Sequence, residues 1–251
     1  MKTFITCVIA ASVLTARAHA QAPNTNAALR YWMAFAVMQD PPADKATSEL
    51  LSRVAAGTSS WDEARLGKLL DDNREALDIL QRGTTLPACE WGLEYDLVPD
   101  TPIAHLAKAR ALGQLNVVAG WRLASRGQWA QAVEVWLTGV RFSQHVAQGG
   151  SLISALSARQ VLRPTLNAFA SAAGQRSLDA RRRAQIGAAL RALPDDGFDW
   201  DGAMRLEEAM LVTIRRRQPN LKTEMPSTQM VNVQREQMRA ERKKVLDAVT
   251  K

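Results

Sequence analysis

Cysteine and histidine are nearly missing from this chain of 251 residues, which holds 2 Cys and 3 His. So few of either leave no framework of internal disulfides and no paired zinc motif to build one from. No glycine-rich phosphate loop, H-E-x-x-H helix or G-x-S-x-G turn occurs, which removes the motifs of the nucleotide-binding, zinc-protease and serine-hydrolase classes. Runs of β-branched residues are absent, and no segment alternates with the period of a strand. Only one long uncharged apolar stretch exists, at the very start. What is present is an ordinary globular composition, 47% hydrophobic and 23% charged, with a formal net charge of +7. That excludes wholesale disorder and collagen, and the length allows a sizeable core.

The start reads as a secretory signal over residues 1–20. Lys2 is the positive end, Thr3 to Ala16 form the apolar run, and Ala18-His19-Ala20 supplies an A-x-A cleavage site. The run is shorter than the roughly 18–20 residues a spanning helix requires, and Arg17 closes it. A mature chain beginning at Gln21 is therefore expected to be secreted or periplasmic, with no transmembrane span. It would keep one cysteine, Cys89, and two histidines, His105 and His145.

Abundant Ala and Leu, with apolar residues three and four apart, predict an all-α chain of about nine helices. Their expected spans are 26–39, 44–55, 60–82 (bent near 71–73), 102–125, 128–148, 151–173, 178–192, 201–217 and 229–249. Ser60-Trp61-Asp62-Glu63 reads as a capping box opening the third. Pro164 should kink the sixth. Trp32, Trp121, Trp129 and Trp136 fall in apolar helical patterns and are expected in the core. The mostly short connections imply an antiparallel stack of helix hairpins. The organisation expected is a signal at 1–20, a helical domain at 21–217, a linker at 218–228 and a basic helix at 229–251.

Residues 113–142 resemble a tetratricopeptide unit. Gly120, Ala132 and Gly139 fall at its small positions, Gly127 at its turn, and Trp129 and Trp136 at its aromatic ones. No second copy keeps this register 34 residues away, and the closing proline is missing. The resemblance implies an irregular α-solenoid with one recognisable unit. The runs NAALRYWMAFA, CEWGLEYD and TPIAHLAKARAL are also similar to a group of secreted bacterial helical proteins. This implies a fold and export, and no activity.

Two segments stand out as candidate sites. Residues 88–100 hold Glu90, Glu94, Asp96 and Asp100 without a basic residue, beside Cys89, Trp91 and Tyr95. The carboxylates can be read as cation ligands, but they lack the order of a calcium loop, so no metal or other cofactor is assigned. Cys89 with His105 or His145 as base is a candidate nucleophilic pair. His105 lies near a helix start, whose dipole disfavours its charged form. The competing expectation buries Cys89, Trp91 and Leu97 and leaves the acids in water.

The second segment is the C-terminal part. Residues 203–251 carry eleven basic and six acidic side chains, whereas 21–202 carry nineteen of each. The last helix holds Arg235, Arg239, Arg242, Lys243 and Lys244, and its apolar stripe of Val231, Met238, Val245 and Val249 is thin. An anionic envelope surface is one partner it would suit. Nucleic acid is not indicated, since no aromatics interleave the basic residues. The leading expectation is a non-catalytic scaffold or module that binds a protein or peptide in the cell envelope. The rivals are a Cys89/His105 hydrolase and an adaptor acting through the basic helix.

Overall fold

The computed structural model describes residues 25–40, 44–95, 103–175, 177–220 and 224–250. The expected signal, most of the linker's middle, and Asp96, Leu97 and Asp100 lie outside the described residues. Ten α-helices account for the regular structure, and no strand occurs among the described residues. They are α1 (Ala27–Val37), α2 (Lys45–Ala55), α3 (Glu63–Asp72), α4 (Arg74–Gly83), α5 (Ala104–Ser125), α6 (Trp129–Ala147), α7 (Leu152–Gly174), α8 (Ala180–Arg191), α9 (Trp200–Arg217) and α10 (Thr228–Val249). The all-α expectation therefore holds.

Short polar residues set the helix starts. Asn26, Asp44, Asp62, Ser151, Asp179, Asp199 and Ser227 each accept a backbone N–H of their own first turn. The expected Ser60 capping box is a correction: Asp62, two residues later, is the cap, and Glu63 is the first helical residue. Asp62 Oδ1 accepts the Arg65 N–H at 3.1 Å, and Glu63 faces α5, where it meets Arg122.

The helix expected over 60–82 is two helices, broken at Asn73. That side chain is fully buried. Its Nδ2 donates to the Leu69 carbonyl and its Oδ1 accepts the Gln39 N–H, both at 2.9 Å. Asn73 thus competes with the helical ladder and ties the end of α1 to the α3–α4 corner.

At the centre, α5, α6 and α7 pack against one another. Helices α1 to α4 cover α5 on one side, while α8, α9 and α10 cover α6 and α7 on the other. Glycine makes the closest of these contacts possible. A Cβ at Gly120 would lie 2.6 Å from Cδ1 of Trp136, whose buried indole donates to the Val117 carbonyl at 3.1 Å. A Cβ at Gly139 would lie 2.7 Å from Oγ1 of Thr165 on α7. The hairpin turn between α5 and α6 uses Gly127 at φ 74°, where an L side chain is strained. Pro164 is accommodated within α7, which continues to Gly174.

The last helix is docked on the body. Val231, Met238, Val245 and Val249 are all buried, and α10 packs on α7 and α8. The thin stripe seen in the sequence is thus its inward face.

Candidate functional site

The acidic segment after α4 folds inward through its apolar side chains. Asn26 accepts the Glu90 N–H and donates to the Glu90 carbonyl, at 2.8 and 2.9 Å, pinning residues 88–90 beside the start of α1. Trp91 is buried, and its indole N–H donates to the His145 carbonyl at 2.8 Å. Tyr95 is half-buried and donates to the Gly149 carbonyl. Trp91 and Tyr95 are thus structural ties, while Glu90 and Glu94 are exposed. Among the described residues, no group of three or more His, Cys, Asp or Glu is placed to hold a metal ion.

Around Trp91 stands a cluster of rings from three helices. Tyr31, Phe35 and Trp32 of α1 and His105 of α5 lie 4.7 to 6.2 Å from Trp91 by ring centre. Phe142 and His145 of α6 close it from the other side of Tyr31. The Tyr31 hydroxyl meets Nδ1 of His145 at 2.5 Å. Burial, with the nearby Cys89 adding to it, pushes the Tyr31 phenol up, so it keeps its proton and donates. A Cβ at Gly83 would lie 2.6 Å from the Tyr31 ring, so that glycine makes room for it.

The proposed nucleophile and bases are close in the fold but not chemically joined. The Cys89 thiol is buried and pushed up to about 12 by desolvation, far from the thiolate a nucleophile needs. Its histidine partners are engaged elsewhere or mute. His145 spends Nδ1 on Tyr31. His105 is buried, and neither ring nitrogen has a hydrogen-bond partner among the described residues. Burial lowers the pKa of both histidines, which holds them neutral. No hydrogen bond joins the thiol to either ring among the described residues. This is the arrangement of a packed core.

The basic residues of α10 are mostly spent within the chain. Arg235 bridges Asp196 and Asp201 at 2.8 and 2.9 Å, Arg242 meets Asp195 at 2.9 Å, and Arg239 reaches Glu236 and Asp196. In return Glu241 pairs with Arg159 and Arg163 of α7. Lys243 and Lys244 are exposed.

A concave surface of about 690 Å³ borders the segment at 89–90, lined by Cys89, Glu90, Gln144, Gln148, Phe198 and Leu206, and two smaller ones flank the tip of the α5–α6 hairpin. One of these two is a groove of about 300 Å³ between α3–α4 and α5–α6. Its floor is Leu70, Leu77, Ala119, Leu123 and Val135, and its rim carries Asp71, Arg74, Asp78, Arg122 and Arg126. Arg122 organises that rim. Its guanidinium bonds both Glu63 and Asp71, and it lies over the Trp61 ring at 5.8 Å. The same hydrogen bonds hold the carboxyls of Glu63 and Asp71 down to about 2. The other is a cleft of about 340 Å³ on the far side of Arg122, walled by Trp61, Trp121 and Trp129.

The tryptophans divide differently from expectation. Trp136 is fully buried, whereas Trp121 and Trp129 are half-buried at the cleft. Trp32 is a correction: it is 41% exposed, because α1 turns Tyr31 and Phe35 inward. Leu29 and Met33 share its outward side. Sequence reasoning missed Tyr31 and the position of the groove. The spacing of Leu70 and Leu77 one heptad apart on adjoining helices was visible, but not which side of that stripe lay open. No family model matches the chain, nor does any curated protein or solved structure.

Proposed function

We propose that this chain is a non-catalytic binding module of the cell envelope, which holds a protein or peptide segment in the groove between α3–α4 and α5–α6. The observation that carries this reading is the groove's make-up. An apolar floor is bounded by a rim of both charges, so a peptide can bury alternate side chains and orient by its ends or charged residues. The α5–α6 pair acts in this reading as a tetratricopeptide-like unit, whose concave side is the binding side. Export rests on the signal read at residues 1–20, and Edman sequencing of the envelope-fraction protein should begin at Gln21.

The test compares capture from envelope extracts by the wild-type protein, Leu77→Glu and Arg74→Glu. Leu77 is a half-buried floor residue and Arg74 an exposed rim residue. A partner retained by the wild type and lost or weakened in both variants, with unchanged circular dichroism, supports the reading. Equal capture by all three sinks it. The hydrolase reading would need Cys89 ionised, and burial works against that. The adaptor reading would need the α10 arginines unpaired, and they are engaged with Asp195, Asp196 and Asp201.

A further inference from the structure

We infer that the tryptophan-walled cleft is a second binding site, separate from the groove, and that its ligand is a neutral saccharide. Trp61, Trp121 and Trp129 come from three different places in the chain: the loop before α3, the end of α5 and the start of α6. No ring contact joins them to one another among the described residues. Trp121 instead packs edge-on against Trp136 at 5.1 Å. The three indoles therefore stand apart around a space of about 340 Å³, within the size range of small-ligand sites of roughly 300–1,000 Å³.

The rest of the wall decides the class of ligand. It is made of Ser59, Ser60, Ser125, Ser171, Gln175 and their neighbours, and it contains no ionisable side chain. Ser59 and Ser60 make no side-chain hydrogen bond among the described residues. Gln175 uses an N–H on the Ser171 hydroxyl, which leaves its carbonyl oxygen as an acceptor. The Trp121 indole N–H is buried at this wall without an acceptor among the described residues. Flat apolar rings beside hydroxyl and amide groups suit a molecule with C–H faces and hydroxyl edges, which is the description of a pyranose ring.

Charged alternatives are disfavoured by what surrounds the cleft. A quaternary ammonium ligand would meet Arg122, whose cation already lies over Trp61. An anion would find Arg122 and Arg126 already engaged by Glu63 and Asp71. The local charge is balanced, so a neutral ligand loses nothing there.

The experiment titrates the full chain with neutral di- to tetrasaccharides of glucose and of N-acetylglucosamine, following tryptophan emission and the heat of binding. The expected result is saturable binding by at least one series. Trp129→Ala should weaken it about 10-fold or more, and Gln175→Ala should weaken it by a smaller factor. Both positions are partly or fully exposed, so the fold should persist, and circular dichroism checks this. Leu77→Glu, which alters the peptide groove, should bind the saccharide as the wild type does. Three results would overturn the inference: no saturable binding by either series, binding indifferent to Trp129→Ala, or tighter binding of a proline-rich peptide or a choline salt at this cleft. Because Leu77 and Trp129 lie in different concavities, either site can fail without the other.

Discussion

Tyr31 joins α1 to the end of α6, and its neighbourhood explains why three chemically reactive residues have become structural. Cys89, His105 and His145 all sit within or beside a ring cluster that excludes water, and exclusion of water favours each neutral form. Two outcomes follow at this scale. Under native conditions at pH 8, Cys89 should react with a thiol reagent far more slowly than in denaturant; equal rates would show an exposed, ionisable thiol. Stability should also depend on pH through the histidines. Their pKa is lowered in the folded state, so the unfolded chain binds more protons below its ordinary value of 6.5. The denaturation midpoint should therefore be flat above that pH and fall as pH drops beneath it. His105→Phe should reduce that fall. Glu63 and Asp71, held near 2, act in a lower window, below the ordinary carboxylate range.

Among the elements, the α5–α6 pair depends on one missing methyl group. Gly120→Ala would push a Cβ into the Trp136 indole and should destabilise the fold by about 1–3 kcal/mol, read from urea denaturation. Gly127→Ala has open space around it and only backbone strain to meet, so it should cost about 1 kcal/mol. If Gly120→Ala proved the milder of the two, the close approach would be wrong. Met238 makes the corresponding test for α10. It is 1% exposed, and Met238→Ala should cost about 2–5 kcal/mol, whereas a freely solvated tail would show no change. This is also where the sequence was most and least readable. The α10 stripe, the Gly120 and Gly127 positions and most helix bounds follow from periodicity and punctuation alone. The interruption near 71–73 was legible as a bend, but not as a full break, which is fixed by the Gln39 N–H from 34 residues away. Nor was the exposure of Trp32 legible, since α1 has apolar residues all round and periodicity cannot choose its inward face.

Across the residues from 21 onward, the basic excess belongs to the last 49 residues, and much of it is neutralised in place by Asp195, Asp196, Asp201 and Glu236. Net charge therefore does not mark the proposed binding surfaces. The two sites proposed above are concavities on either side of Arg122, which a one-dimensional pattern cannot display because their walls come from α3, α4, α5, α6 and α7. Hydrogen–deuterium exchange of the chain, free and with any partner that the capture experiment proposed above retains, separates the readings. The groove account predicts new protection confined to residues 70–81 and 116–138. Protection appearing instead over α10, or over residues 88–95, would contradict it.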